Sequence, residues 1–564
     1  MPANRKGSLI YIVLPLALAA VVWTGAVRGA GPQFYDDDPI AREPESQDAS
    51  KAEEMEIGLL YELATNLVVG TRHEPSNTRA GNVNTIDEVP DSSWFTNRIG
   101  TRPLTADEIA RGPNIGAPPA PDKWEIVREK SAGAQPGFTA RDARGETWFI
   151  SFDSRKNPEG ASGSTLAATK FFWALGYNQV ETFVTTVNPA TLTIGPKATH
   201  RRPSGERTRF NQDDVDEVLE RSARNRDGTY RATAGRLLPG KILGRFRYEG
   251  TRPDDPNDVV PHEHRRELRA LRVFGAWVNL TDLKAGNTLD TLVEQNGRSI
   301  VKHILQDVGS TMGMANGSSD WNLGYEYFYE GGVSKRRFAS FGFALSPWQT
   351  IPYKEYPSVG RFEGDHFDPT TWKPHTPTIA YVEMRADDAF WGAQRVMAFS
   401  DDQIRAVVHT GQYSDPEAEA YLVSVLIKRR DAIGRAYLPA INPIVNPRLD
   451  DAGVLTFENA AVTADFAKPP TGYRAVWSRF DNATGTATQI GETQSPGASM
   501  PAPGEVKAIA NGFVQVDISA DSADHPSWQQ PVRLHFRRTS AGWKLVGLRR
   551  LPDTAAPSVA GNSR

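Results

Sequence analysis

Asp282-Leu283-Lys284-Ala285-Gly286-Asn287, followed one hairpin later by Gln306-Asp307-Val308-Gly309, decides how this chain is read. Asp282, Asn287 and Asp307 stand in order, with Lys284 between the first two. Phosphoryl transfer needs an acceptor for the substrate hydroxyl's proton and oxygen ligands that hold magnesium on the nucleotide phosphates. A D-x-K-x-x-N loop supplies both. In that reading Asp282 faces the hydroxyl, Lys284 neutralises charge on the transferring group, and Asn287 and Asp307 bind metal. Gly309 lets the backbone turn sharply after the metal ligand. The same residue types also cap turns, so Asp282 and Asn287 have a purely structural reading, as does Asp307 at the end of a strand.

Upstream of the loop, Leu268, Leu271, Phe274 and Val278, with Ala270 and Ala276, mark an amphipathic helix ending near Asn279. Downstream, apolar stretches at 288–293 and 299–306 flank Gln295-Asn296-Gly297-Arg298, and Asn-Gly in that position is a hairpin signal. Further towards the N-terminus, alternation predicts strands at 124–128, 137–141 and 147–153, the last two joined through Asp142-Ala143-Arg144-Gly145. A helix over 161–175 stops at Gly176, and extended segments follow at 179–187, 230–238 and 242–248. Helical patterns return at 387–397, 400–409 and 416–437. Strands then dominate, at 454–457, 460–466, 473–480, 513–518, 532–536 and 543–548, a spacing that suggests a small β-sandwich.

The catalytic-type loop and the Asp307-Val308-Gly309 turn resemble the catalytic loop and metal-binding D-x-G of the protein-kinase-like superfamily. The helix before the loop and the hairpin within it fall where that fold places them. The likeness is to atypical bacterial and secreted members, since H-R-D and A-P-E are absent. The chain also resembles an uncharacterised exported bacterial family with segments like Val89-Pro90-Asp91-Ser92-Ser93-Trp94-Phe95-Thr96-Asn97 and Gly250-Thr251-Arg252-Pro253-Asp254-Asp255-Pro256-Asn257-Asp258. The superfamily resemblance implies an α+β, two-lobed kinase-like body over about 123–440, followed by the small all-β, sandwich-like domain. It further implies ATP and magnesium as cofactors. Lys130-Ser131-Ala132-Gly133-Ala134-Gln135-Pro136-Gly137-Phe138 stands where a phosphate-covering loop belongs, with Gly133 and Gly137 shaping it. The usual third-strand lysine is replaced by Ser151, and the helix over 161–175 has no acid to pair with it, Glu159 lying just before. Lys130 or Lys156 is then the candidate ammonium for the phosphates.

Composition bounds the rest. The 564 residues carry 64 Lys plus Arg against 68 Asp plus Glu, a formal charge of −4, so no basic surplus points to nucleic acid. With no Cys, disulfides, thiolate metal sites and cysteine nucleophiles are all excluded. Arg5 and Lys6 precede an apolar run from Leu9 to Trp23, with Thr24 and Ala26 suited to a cleavage site. That is the layout of a signal peptide, the rival being an uncleaved anchor, and it predicts an exported, periplasmic or envelope-associated protein. A bilayer contact is expected only through such an anchor. The expected divisions are 1–26, signal peptide or anchor; 27–122, a leader with one helix, over 52–69, and a linker; 123–252, the first lobe; 253–440, the helical lobe; 441–550, the β-domain; and 551–564, a disordered tail.

Other groups have plainer readings. His262-Glu263-His264 suggests solvated polarity at a helix start rather than a metal pair, because side chains two apart diverge on a helix. Arg265, Arg266, Arg269 and Arg272 suggest a solvated helix face bonded to neighbouring acids, with acid or phosphate recognition as the alternative. Trp321, Tyr325, Tyr327, Phe328 and Tyr329 could line a sugar cleft or fill a core, and Trp477, Trp528 and Trp543 are equally ambiguous. Two function classes follow. One is a weakened kinase-like scaffold that binds nucleotide or another ligand and docks an envelope protein or glycan. The other is a magnesium-dependent phosphotransferase, or nucleotidyltransferase, acting on a protein or carbohydrate hydroxyl.

Overall fold

The computed structural model describes residues 31–69, 73–130, 135–201, 206–315, 318–319, 323–341 and 343–551. The expected signal or anchor, Gly133, Trp321 and nearly all of the expected tail lie outside the described residues. The chain is a mixed α/β protein with several sheets.

Residues 31–122 hold two helices, α1 (Leu59–Val69) and α2 (Ala106–Arg111), where one was expected. Helix α1 starts later than its apolar pattern suggests. Met55 is drawn into a bridge with Gly244, and Ala49 and Ala52 are buried with Leu243 and Val301. Long-range pairing here outweighs local helical periodicity.

The first sheet is built from β1 (Trp124–Glu129), β2 (Gly137–Arg141), β3 (Thr147–Phe152), β4 (Thr182–Val187), β5 (Leu192–Arg201), β6 (Arg207–Arg209) and β7 (Tyr230–Arg236). Their order is β4-β7-β3-β2-β1-β5-β6, with β1 and β5 parallel. Strict alternation puts Trp148, Ile150 and Phe152 on one buried face with Trp124, Ile126 and Phe138, where Val215 of α4 (Gln212–Glu220) also packs. Helix α3 (Gly160–Leu175) joins the larger core instead, its Phe171 lying against Trp277 with ring centroids 4.7 Å apart.

That second core is organised by α5 (Arg266–Val278). A three-stranded sheet lies alongside, formed by β8 (Lys241–Gly244), β9 (Thr288–Gln295) and β10 (Arg298–Leu305). Strand β8 ends sooner than the sequence suggests because Gly244 has φ +90° and lies so close to Met55 that a Cβ would sit 2.2 Å from its carbonyl oxygen. Asn296 and Gly297 both have positive φ, as the tight turn between β9 and β10 requires. Later helices include α6 (Gly331–Ala339), α7 (Ile379–Val382), α8 (Ala386–Met397), α9 (Asp401–His409) and α10 (Pro416–Tyr437).

The last part contains a sheet of three strands and one of five. Ala460–Thr463 is a short helix, not the expected strand, because the Asn459 side chain caps it by accepting from Val462 N. Thr486–Ser495 is a strand that periodicity misses: it lies on a sheet edge with both faces largely in solvent, so no apolar alternation marks it. Trp477 and Trp528 are core residues, while Trp543 is half-buried.

Two sequence expectations fail in the interior. The arginines of α5 are not a solvated face: Arg265, Arg266 and Arg269 are at most 1% exposed. Arg266 donates through Nε to Asp388 at 2.9 Å and also bonds Asp87 at 3.0 Å; Arg269 reaches the other Asp388 oxygen at 3.1 Å. Arg265 pairs with Glu43 at 3.1 Å, and Arg272 lies over the Tyr381 ring. Burial of such charges is sustained only by this pairing. His262 is likewise buried rather than solvated, its Nε2 2.7 Å from Asp258. Trp94 stacks on His303 at 3.6 Å and lies edge-on to His262, so the segment over 89–97 is linked to Asp258 of the segment over 250–258 through His262. Phe34 lies on Phe480 and Phe95 on Tyr177, so residues near both ends of the leader's first part pack on later parts of the chain.

Candidate functional site

Helix α5 stops at Asn279, which adopts the left-handed conformation and whose side-chain oxygen accepts from Trp372 Nε1 at 2.8 Å. The chain then runs through Asp282 into a short turn, Ala285–Asn287, closed by Asn287 N donating to Lys284 O at 3.0 Å. The register of β9 against β10 pairs Thr288 with Leu305, which sets the residues just outside that pair, Asn287 and Gln306, beside each other. Gln306 N and Asp307 N both donate to Asn287 O, at 3.0 and 3.1 Å. The two halves of the motif therefore meet because an antiparallel hairpin closes between them.

Within this junction the Asn287 side-chain amide donates to the backbone carbonyl of Asp282 at 2.8 Å. Lys284 Nζ donates to Asp282 Oδ2 at 2.9 Å. Asp307 is exposed, and its Oδ1 accepts from Gly309 N at 3.0 Å. Helix α3 packs on that turn: Ser164 Oγ donates to Gly309 O at 3.3 Å, and a Cβ on Gly309 would lie 2.6 Å from Thr165 Oγ1. A side chain there would have to displace the Thr165 hydroxyl.

Lys130, at the end of β1, is half-buried. Burial pushes its ammonium below the ordinary lysine range, while the charge of Asp307 opposes that shift. Its side chain runs over Gly137, whose added Cβ would come 3.3 Å from Lys130 Cδ. Gly137 pairs directly with Ser151 on β3. Two small residues side by side thus leave room for Lys130 to cross the sheet towards Asp307. Lys156 is exposed on the turn before α3, and no hydrogen bond or ion pair ties it to Asp282, Asn287 or Asp307.

The donor set suits a hard divalent cation. Asn287 spends its amide hydrogens on Asp282 O, leaving its oxygen to accept, and Asp307 keeps a second carboxylate oxygen. Among the described residues no three His, Cys, Asp or Glu converge as metal ligands. One carboxylate and one amide oxygen match magnesium, which takes one or two protein ligands beside substrate phosphates.

Sequence reasoning missed Glu62 of α1. Its Oε1 accepts from Ala285 N at 2.6 Å, and burial raises its carboxyl above the ordinary range. Only its place in an apolar helical pattern was visible beforehand. The aromatic group is divided: Tyr325 stacks on Trp348 at 5.4 Å, whereas Phe328 and Tyr329 are exposed.

Among solved structures, the chain is similar to the Golgi casein kinase with Mn/ADP bound (TM-score 0.30, 11% identity, covering 70% of this chain and 94% of that one). Another structure of the Golgi casein kinase gives TM-score 0.27 and 11% identity, covering 58% and 74%. The Helicobacter pylori proinflammatory kinase CtkA gives TM-score 0.30 and 10% identity, covering 56% and 97%. No family model matches the chain, and no curated protein matches it. Likeness this slight transfers no chemistry, which has to come from the chain's own residues.

Proposed function

We propose that the chain is a kinase-like phosphotransferase dependent on a nucleotide and magnesium, with a two-lobed body and a C-terminal β-domain. The observation that carries this reading is the interlock at Asn287, which binds the Asp282 carbonyl through its side chain and Asp307 through its backbone. Asp282 takes the proton from an acceptor hydroxyl, and Lys284, 2.9 Å away, offsets charge on the transferring group. Asn287 and Asp307 hold the cation; when bound, magnesium neutralises the nucleotide phosphates. Lys130 stands in for the third-strand lysine, and Gly137, with Gly133, keeps the covering loop slim enough for its backbone to approach the phosphates.

The acceptor in this proposal is a protein or carbohydrate hydroxyl in the cell envelope, reached by export through residues 1–26. A second reading, a nucleotide-binding scaffold with weakened catalysis, draws support from Ser151 on β3 and from α3, which has no acidic residue along its length.

Thermal unfolding of the purified chain with ATP, with and without magnesium, tests both, since a ligand bound to the native state raises the melting temperature. No shift at millimolar nucleotide ends the phosphotransferase reading. A magnesium-dependent shift, abolished by Asp307→Ala and accompanied by phosphate transfer that Asp282→Asn removes, supports it. The same shift without transfer to any acceptor favours the scaffold.

A further inference from the structure

We propose that a second cavity, separate from the Asp282–Asp307 site, binds a small hydroxylated anion of the sugar phosphate or sugar acid class through Arg245 and Arg247. The cavity holds about 640 Å³, which is the range of small-ligand sites. Its walls are the segment after β8, the His262–His264 turn, Ile379 and Glu383 at the two ends of α7, and Met55, Ile57, His73 and Ser76.

The other acids facing it, Glu249 apart, already have hydrogen-bond partners. Glu383 accepts from His73 Nε2 at 2.5 Å and from Ser76 N at 3.0 Å. Glu263 accepts from Gly250 N at 2.7 Å. Asp290 is held by Arg252 at 3.1 Å and by His303 at 2.7 Å. His264 uses Nδ1 on Arg269 at 2.6 Å. Arg245, half-buried, and Arg247, exposed, both line the cavity, and neither guanidinium has a hydrogen bond or ion pair to a described residue.

Arg245 is brought partly out of water without a partner, which is costly; Arg247 stays exposed and acts on Glu62 only through its charge; the planar fork of each matches carboxylate and phosphate oxygens. Two of them at one wall specify an anion. Glu249, the lining acid without a matched donor, specifies hydroxyl hydrogens on the same ligand. Phe246 is the lone aromatic ring among the lining side chains apart from the histidines, so base stacking of the kind that holds nucleotides has little support here. A neutral sugar would leave both guanidinium groups unmatched.

The cavity also adjoins the catalytic-type loop. Arg247, Glu249 and Ile379 border a narrow cleft whose other wall is Tyr61, Glu62 and Thr65 of α1, and Glu62 bonds the loop at Ala285. Occupancy at Arg247 is therefore linked to the loop through Glu62, whether or not the loop transfers phosphate.

Isothermal titration of the full chain with glucose 6-phosphate, glucuronate and glucose, in low salt and without nucleotide, tests this. One or both anions are expected to bind with a dissociation constant of about 1 mM or tighter, and glucose to give no heat. The two anion arms tell phosphate from carboxylate. The double variant Arg245→Gln/Arg247→Gln is expected to weaken binding at least about tenfold at unchanged circular dichroism, and Arg247→Gln alone, at an exposed position, about threefold. Asp307→Asn is expected to leave binding intact. Absence of heat from both anions at about 10 mM overturns the inference, as does binding that glucose shares, that the double variant retains or that Asp307→Asn abolishes.

Discussion

The side-chain amide of Asn287 donates to the backbone carbonyl of Asp282 at 2.8 Å, while its own backbone carbonyl receives Asp307 N at 3.1 Å. One residue thus couples the proposed base to the proposed metal ligand. Asn287→Ala removes the tie and a ligand oxygen together; Asn287→Asp keeps an oxygen but cannot donate to Asp282 O. A hydrogen bond of this kind contributes about 1 kcal/mol, so Asn287→Asp is expected to weaken magnesium–ATP binding by roughly fivefold and Asn287→Ala by more. Calorimetric titration with ATP at fixed magnesium checks the order.

Lys130 passes over Gly137, which pairs with Ser151, and feels the charge of Asp307. Lys130→Met is expected to cost about 10- to 100-fold in nucleotide affinity, the scale of a charge-assisted hydrogen bond. Because Ser151 stands beside the same space, Lys130→Met/Ser151→Lys should recover part of the loss. Failure of the double variant to recover any affinity, with both proteins folded by circular dichroism, would show that the lysine acts elsewhere.

His535 is 4% exposed, between Phe34 and Phe480, and burial pushes its imidazole from 6.5 down to about 3. The unfolded chain takes up a proton near pH 6.5 and the folded chain holds this ring neutral to about pH 3, so protons favour unfolding between those values. Stability is therefore expected to fall on acidification through that window, by up to about 1.4 kcal/mol per pH unit, with no contribution from this ring above it. His535→Leu should flatten the slope in chemical denaturation carried out at pH 7, 6 and 5.

Arg266 is wholly buried against Asp388, Asp87 and Asp387. Arg266→Met takes away the cation these three carboxylates share, with Arg79, Arg269 and Arg385 among their remaining partners, and is expected to destabilise the chain by about 3–5 kcal/mol. Adding Asp388→Asn should return part of that, because it neutralises a buried carboxylate that has lost one of its two guanidinium partners. A denaturant midpoint for the double variant at or below that of Arg266→Met would contradict the pairing.

Much of the local structure was legible beforehand because it rests on neighbours in sequence. Helix α10 begins at Pro416 behind an Asp415 cap, as its residues suggested, and Asn296-Gly297 turns the hairpin they announce. The hairpin in turn explains why Asp282, Asn287 and Asp307 belong together. The arginines of α5 show the limit of such reading. Their spacing is that of an exposed helix face, and what buries them is acid from Asp87, Asp388 and Glu43, far away along the chain.

Local chemistry in the sequence, then, determined the hairpin turn at Asn296-Gly297, capped helix starts such as that of α10 and the order of candidate ligands, since caps, glycines and apolar periods act over a few residues. Tertiary packing alone decided that Lys130 rather than Lys156 faces Asp307, that Glu62 supports the loop, and that two unpaired arginines share a cavity. These depend on which distant segments share the same space, and pairing across such distances leaves no periodic trace in one sequence.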